Sequence, residues 1–551
     1  MKITLAQLNP TIGDLRTNAE TILRTTIEAA AQGTTLVLTP ELSLCGYPPR
    51  DLLLKPTFID AMLVQLNRLA TELPENITVL VGFAERNPNA DTHGEKPLYN
   101  SVALLQDNQI KQIFRKRLLP TYDVFDEARY FQPAHVPNHF VLNDVHIGVT
   151  ICEDLWNDEE FWGKRSYEDN PIADLAALKV DFTINLSASP YTMGKQQIRE
   201  QMLCHLSQRF SQPIVYVNQV GANDDLIFDG GSCVINNNGM LCDRLPQMQA
   251  HNQTIHWNTQ EFTTKTRPVN LMDEGTELYS ALVLGVKDYA RKCGLKQALL
   301  GLSGGIDSAI VAAIAADALG AENVLGILMP SPYSSDHSIT DAVSLAKNLG
   351  IPIQTVPIEP MMKTFDASLA EIFAGTEFGV AEENLQSRIR GTLLMAIANK
   401  FNKLLITTGN KSEIAVGYCT LYGDMNGGLA AIADVPKTKI FALCEWLNRE
   451  KEIIPISIMT KPPSAELKPG QLDQDSLPDY EILDDILDRY IQNHESQTEI
   501  LAAGHDPAVV TQVLRLVKIA EFKRRQSAPG LKVTDRAFGT GWRMPIACKM
   551  E

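Results

Sequence analysis

Between two apolar runs at 298–300 and 309–316 the chain reads Gly301-Leu302-Ser303-Gly304-Gly305-Ile306-Asp307-Ser308. A glycine-rich turn that leads from a buried strand into a helix leaves backbone N–H groups without intrahelical partners and offers them to an anion. The stretch predicts a phosphate cradle. It lacks the lysine that the commoner nucleotide loop places near the terminal phosphates, and carries Asp307 among its hydroxyls instead. A carboxylate beside phosphate repels it unless a cation lies between, so the loop predicts Mg-nucleotide held by its pyrophosphate portion. In the first half of the chain three residues of different chemistry each fall where an apolar run ends: Glu41, Lys116 and Cys152. A carboxylate, an ammonium and a thiol at strand ends on one edge of a sheet can be neighbours in space. Singly, each has a plainer reading: a surface acid, a solvated lysine flanked by two arginines, and a core cysteine.

The elements that must position these residues are legible as periodicity. Short β-like runs at 3–8, 35–39, 78–82, 101–105, 109–114, 146–151, 181–186, 214–218 and 232–235 alternate with helical patterns, as in Ala19, Ile22, Leu23, Ile27 and Ala30. That mixture predicts an α/β layered sandwich. Periodicity lapses between about 259 and 274, which reads as a linker. Beyond it the order is helix (277–292), strand (297–302), helix, strand (324–329), helix, strand (353–358), helices and strand (404–408), the rhythm of a doubly wound parallel sheet. Ligands in such sheets sit past the carboxyl ends of the strands, where Ser303, 330–335 and 408–413 converge. The expected domains are 1–262 and 276–551, joined by 263–275.

Bulk properties exclude several classes. At 551 residues, with 44% hydrophobic and 21% charged content, the chain reads as a globular protein of more than one domain. A net charge of −17 repels polyanions, so neither nucleic acid nor an anionic membrane is an expected partner, although a local basic pocket for small anions is compatible with it. Eight basic residues against Glu521 and Asp535 in 515–543 read as such a pocket. The first residues already contain Asn9, Pro10, Gly13 and Asp14, unlike a signal peptide, and no window has the length of a membrane span. Nine cysteines, an odd number without C-x-x-C spacing, support neither a disulfide framework nor a zinc ribbon. A cytoplasmic protein is expected.

Words around these residues carry resemblances. Residues 303–308 resemble the signature loop of the N-type ATP pyrophosphatases, which cleave ATP between the α and β phosphates. Glu41, Lys116 and Cys152, with Gly46-Tyr47-Pro48, Phe125-Asp126-Glu127 and Cys152-Glu153-Asp154-Leu155-Trp156 around them, resemble the nitrilase superfamily of carbon–nitrogen hydrolases. The chemistry accounts for the set. A thiol with a pKa near ~8.5 needs a base, here Glu41, which then returns the proton to departing ammonia. Lys116 counters the oxyanion and is expected to favour thiolate, with Glu127 orienting Lys116 or the hydrolytic water. In glutamine-using members the counterparts of Tyr122, Ser189 and Lys195 contact substrate; Ser187 is an alternative to Ser189.

In the second half, Met329-Pro330-Ser331-Pro332-Tyr333-Ser334-Ser335, the stretch Glu383-Asn384-Leu385-Gln386-Ser387-Arg388-Ile389-Arg390-Gly391 and Thr407-Thr408-Gly409-Asn410-Lys411-Ser412-Glu413 resemble NAD synthetases. Together the resemblances cover nearly the whole chain and narrow to the glutamine-dependent members. They imply a nitrilase-like α-β-β-α sandwich followed by a doubly wound parallel sheet of the adenine nucleotide alpha hydrolase type. The substrates implied are deamido-NAD, ATP and glutamine, with Mg2+ accompanying ATP and no tightly bound organic cofactor. By carry-over, residues 301–308, Thr408 and Lys437 meet ATP; Asp307 and Glu413 meet Mg2+; Asn384, Glu413 and Lys523 meet deamido-NAD; Arg388 and Arg390 are looser additions for its phosphates. The run 461–467 resembles a mobile active-site loop. Ammonia is expected to pass by an internal tunnel, in a homo-oligomer. The alternatives are another amidotransferase using the same loop, acting on xanthylate or tRNA, and a degenerate amidase half that only assembles an ammonia-dependent synthetase.

Overall fold

The computed structural model describes residues 1–549. Its first unit, Met1–Met272, is built on two sheets. One has seven strands in the order Phe262–Thr263, His251–Trp257, Lys2–Gln7, Leu36–Leu38, Thr78–Arg86, Leu98–Gln106 and Gln109–Arg115. The other has six, in the order Leu241–Arg244, Cys233–Ile235, Ile214–Asn218, Phe182–Ser187, Val145–Ile151 and Asn138–Leu142. One apolar core takes Ile3, Leu38 and Phe114 from the first sheet and Val149, Ile184 and Val217 from the second, so the sheets pack face to face. Helices Leu15–Ala31 and Pro56–Glu72 bury Ile22, Met62 and Leu66 against the outer face of the first sheet. Helix Lys195–Phe210 buries Met202, Leu203 and Leu206 against the second. The layers run helix, sheet, sheet, helix.

Each β-like run anticipated from the sequence lies on a strand. Not anticipated are the edge strand Asn138–Leu142, the hairpin Val220–Asn223 with Leu226–Asp229, and the strands Leu241–Arg244, His251–Trp257 and Phe262–Thr263. Polar composition concealed His251–Trp257, yet it pairs antiparallel with the first strand from His256↔Lys2 to His251↔Gln7. Pairing continues into the expected linker: Phe262 sits opposite Trp257, their rings 4.8 Å apart, because two aromatic side chains bury better together than in solvent.

The second unit begins at Asp273. Asp273 caps helix Glu274–Lys292 by accepting the Thr276 N–H at 3.0 Å, so this helix starts earlier than its apolar pattern indicated. Five strands form a parallel sheet in the order Ile353–Thr355, Val324–Leu328, Ala298–Gly301, Leu404–Thr407 and Leu429–Ala430. The chain winds one way from Ala298–Gly301 and returns to its other side at Leu404–Thr407. That reversal opens a crevice beyond the strand ends, where a ligand fits.

Candidate active sites

Glu41 follows strand Leu36–Leu38 in a turn laid against strand Thr78–Arg86. A Cβ on Gly82 would come within 2.3 Å of the Leu42 nitrogen and 2.5 Å of the Pro40 oxygen, so glycine is required for the turn to lie there. Glu41 and Lys116 are fully shielded from solvent and Cys152 nearly so. Lys116 Nζ donates to Glu41 Oε1 at 2.7 Å and to both oxygens of Glu127 at 2.8 and 2.9 Å. Asn100 Nδ2 donates to the same Glu41 oxygen at 2.7 Å and to Glu127 at 3.3 Å, the Tyr47 hydroxyl donates to Glu127 at 2.9 Å, and the Ala188 N–H reaches Glu41 Oε2 at 3.0 Å. Two acids are thereby held on one ammonium.

Cys152 leaves the end of strand Val145–Ile151 with φ +43 and opens the tight turn Cys152–Leu155. Asp154 fixes this turn. One carboxylate oxygen accepts the Ile151 N–H at 2.9 Å and the other accepts the N–H groups of Arg117 and Leu118 at 3.1 and 2.9 Å. The nucleophile turn and the lysine segment are thus stapled by one side chain.

Burial works against the Lys116 ammonium, but Glu127, Glu41 and Cys152 together outweigh it and hold its pKa well above the ordinary lysine value. Burial pushes the Glu127 carboxyl up against the pull of Lys116. Burial, then Glu41, pushes the Cys152 thiol well above its usual range, although Lys116 pulls the other way. Lys116 does act in favour of thiolate, as expected, but desolvation and the neighbouring acid outweigh it and hold the sulfur as the thiol.

Glu153, buried beside the nucleophile, accepts from the hydroxyls of Tyr122 and Tyr167, each at 3.0 Å. Lys195 Nζ donates to the Pro190 carbonyl at 2.8 Å and stands 5.5 Å from the Trp156 ring centroid. Ser187 donates to Asn185, whose amide reaches the Cys152 carbonyl at 3.3 Å. The Ser189 N–H donates to Asn218 at 2.9 Å. Both serines are buried.

In the second unit, a cavity of about 570 Å³ lies beyond the strand ends. All of 301–308 line it, as do Thr408, Glu413, Lys437, Asn384, Arg390 and Lys523. Gly304 has φ +76, and a Cβ there would meet the Ser338 carbonyl at 2.3 Å, so only glycine lets the loop turn against the neighbouring helix. The Ser303 and Ser308 hydroxyls lie 3.1 Å apart and brace the loop from inside. Lys437 Nζ pairs with Asp307 at 2.5 Å and Glu413 at 3.4 Å, and Asn410 Nδ2 donates to Asp307 at 3.0 Å. Burial lowers the Lys437 ammonium, but Asp307 and then Glu413 overcome it and raise its pKa. Burial raises the Glu413 carboxyl.

Lys523 Nζ donates to the Gly417 and Cys419 carbonyls, both at 2.7 Å, and Asn384 Oδ1 accepts from Thr420 at 2.7 Å. Arg390 is held by the Met329 carbonyl at 3.1 Å and makes no ion pair among the described residues. Burial brings its pKa down to about 10. Arg388 is not among the residues lining the cavity; its Nε donates to the Leu421 carbonyl at 3.2 Å. Lys411 is buried and ties Asp434 at 2.8 Å to Thr534 at 2.6 Å, anchoring the C-terminal segment.

No group of three or more His, Cys, Asp or Glu converges to hold a metal among the described residues. An ion that shares the phosphates of ATP needs only one or two carboxylates from the protein, and Asp307 with Glu413 is a hard-oxygen pair suited to that role. Asn100, Asn410, Tyr167 and Asp473 belong to the sites but were not singled out from the sequence. Asn410 was findable, since it directly precedes the helix that carries Glu413.

The carbon-nitrogen hydrolase family model matches residues 2–254, and the NAD synthase model residues 278–527. A glutamine-dependent NAD(+) synthetase of Synechocystis sp. is 59% identical over 547 residues, covering 99% of this chain and 98% of its own. One from Thermotoga maritima is 41% identical over 588 residues, covering 100% and 99%. The solved structure of glutamine-dependent NAD+ synthetase from Acinetobacter baumannii in complex with ADP is similar at TM-score 0.78 and 39% identity, over 99% of this chain and 98% of that one.

Proposed function

Because this chain belongs to the glutamine-dependent NAD(+) synthetases, we propose how its own residues divide that reaction. In the hydrolase half, which we bound at 1–262, Glu41 takes the Cys152 proton as sulfur attacks the carboxamide carbon of glutamine. Lys116 neutralises the oxyanion, Glu41 protonates the departing ammonia, and water opens the thioester. The observation that carries this reading is the Lys116 ammonium held by Glu41 and Glu127 inside a desolvated pocket. We assign Tyr122, Ser189 and Lys195 to glutamine, with Ser187 the alternative to Ser189.

Glu127 gives this reading a test. Its raised carboxyl binds a proton at higher pH than a free glutamate, so glutaminase activity should fall on acidification well above the ~4.3 of an unperturbed side chain. Below that limb Glu127 no longer anchors Lys116. Glu127→Gln should lower glutaminase kcat about 100-fold, alter the limb and leave ammonium-driven synthesis unchanged. Steady-state glutamate release across pH checks it.

In the synthetase half, 276–551 after a connection at 263–275, the nicotinate carboxylate of deamido-NAD attacks the α-phosphorus of ATP and diphosphate departs. Ammonia then displaces AMP to give the carboxamide. Loop 301–308 cradles the phosphates with Thr408, while Lys437 clamps the phosphate under attack. Asp307 and Glu413 hold Mg2+, which screens the charge on the triphosphate. Asn384, Glu413 and Lys523 hold deamido-NAD. Of the two arginines we assign a phosphate to Arg390, a desolvated cation without an acid partner; Arg388 supports the wall through Leu421.

Ammonia in water is largely ammonium, which has no lone pair to attack the adenylate. We therefore infer that it passes between the sites without equilibrating with solvent, in a homo-oligomer. No described helix is long and apolar enough to cross a membrane, and all nine cysteines are free, which supports the cytoplasm. Turnover with unlabelled glutamine and 15N-ammonium at equal concentration at neutral pH should leave most NAD unlabelled. Label approaching that of the free pool would overturn the transfer.

A further inference from the structure

Two acids share the Lys116 ammonium, and their oxygens are not equally occupied. Both oxygens of Glu127 accept from Lys116, at 2.8 and 2.9 Å. Each has a second donor, the Tyr47 hydroxyl on Oε1 at 2.9 Å and Asn100 Nδ2 on Oε2 at 3.3 Å. Glu41 Oε1 is filled in the same way, by Lys116 Nζ and Asn100 Nδ2, both at 2.7 Å. Glu41 Oε2 accepts only the Ala188 N–H, at 3.0 Å, among the described residues. A carboxylate oxygen has two lone-pair sites, so Glu41 Oε2 is the one oxygen of this pair of acids that keeps a site open.

Asn100 makes the difference on both acids. It lies in strand Leu98–Gln106, is 1% exposed, and its backbone carbonyl accepts the Lys116 N–H at 2.8 Å. One residue thus sets the lysine backbone and touches both of the lysine's acid partners. The orientation of its amide follows from its neighbours: both are acceptors, and only the NH2 end can face them. Oδ1 is buried and has no hydrogen-bond partner among the described residues. An asparagine that only braced its strand would have both ends satisfied, because an unpaired buried carbonyl is costly. Here the acceptor end is left open and the donors go to the acids.

We propose that Asn100 is a positioning residue that, by closing Glu41 Oε1 together with Lys116, restricts proton transfer from Cys152 to Glu41 Oε2. As the Sγ–C bond forms, the sulfur proton moves to Oε2 and the carbonyl electron pair moves to oxygen. When the C–N bond then breaks, its electron pair leaves with nitrogen, which takes the proton from Oε2 and departs as ammonia. One oxygen handles both transfers, and with Oε1 pinned by two donors the carboxyl need not rotate between them. Glu127, with no open site on either oxygen, is confined to anchoring Lys116. This assignment rests on Glu41 and Cys152 acting in the hydrolase half as given above.

The test uses two variants of the full chain. Asn100→Leu keeps the volume and removes both donors; Asn100→Asp keeps the outline and offers acceptors instead. Each should lower glutaminase kcat about 100-fold while KM for glutamine and ammonium-driven NAD synthesis stay within about twofold of the parent. Donors to a carboxylate favour its charged form, and an emptied Oε1 becomes a second place for a proton. The acidic limb of kcat should therefore move to higher pH by about one unit in Asn100→Leu. In Asn100→Asp it should move at least as far, since three carboxylates then share one ammonium, and this variant decides the matter if the apolar one does not fold. Glutamate release at saturating glutamine across pH reads the limb. A parent-like limb in Asn100→Asp and in any folded Asn100→Leu, whatever the rate, overturns the proposal, because a residue that only supported the fold would lower the rate without moving the limb. Glu41→Gln tests the reading beneath it: glutaminase activity at the parent rate there would remove the base itself.

Discussion

Cys152→Ala should abolish NAD formation from glutamine, by about 10⁴-fold or more, while synthesis from ammonium stays within about twofold of the parent. No other group can take over, because the thioester requires a sulfur at the end of strand Val145–Ile151, and Glu41 and Lys116 are arranged around that position alone. The substitution removes a small buried atom from a turn whose backbone is held by Asp154, so the hydrolase unit should remain folded. Glutamate release, NAD formation with each nitrogen source and the melting transition measured together check it. A variant that still hydrolyses glutamine at the parent rate would remove the nucleophile assignment.

The complementary change is Asp307→Asn. It should suppress NAD formation with glutamine and with ammonium alike, by roughly 10³-fold or more, because Asp307, proposed above as a ligand of the cation that would accompany ATP, would act in the adenylation that both routes share. Glutamate release in the absence of the other substrates should persist. There is also a structural cost. Lys437 loses its closer partner and keeps only Glu413 at 3.4 Å. Breaking one side of a buried ion pair costs about 3–5 kcal/mol, so the synthetase unit should melt at lower temperature. Diphosphate release, glutamate release and calorimetry on the same preparation distinguish lost chemistry from lost fold. Full activity in Asp307→Asn would show that this acid does not serve the phosphates.

How much of this was readable beforehand depends on what each residue needs to be recognised. Glu41, Lys116 and Cys152 stood out because charged or nucleophilic types at the ends of apolar runs are uncommon and because three of them matched one chemistry. The loop at 301–308 was readable because its glycines sit between a buried strand and a buried helix. Asn100 was not readable. It lies inside strand Leu98–Gln106, opposite Ala84, and which face it presents depends on pairing that one sequence does not reveal. Asp473 lay within a run of acids whose composition resembles a solvated surface. Arg388 and Arg390 are two positions apart on one helix and cannot both face the same way, so choosing between them required the fold. The missed strands failed for a different reason: Asn138–Leu142, Leu241–Arg244 and His251–Trp257 each bury only one or two side chains, too few to write an apolar alternation.

The protonated resting thiol of Cys152 has a consequence for durability. Peroxide and soluble disulfides react with thiolates, so a sulfur that burial and Glu41 hold as the thiol, until its proton is taken in the attack itself, is shielded from oxidants while the enzyme idles. The same reluctance curbs idle consumption of reactive electrophiles. Redox survival in this hydrolase is thus a by-product of the desolvation that makes its nucleophile wait for an amide.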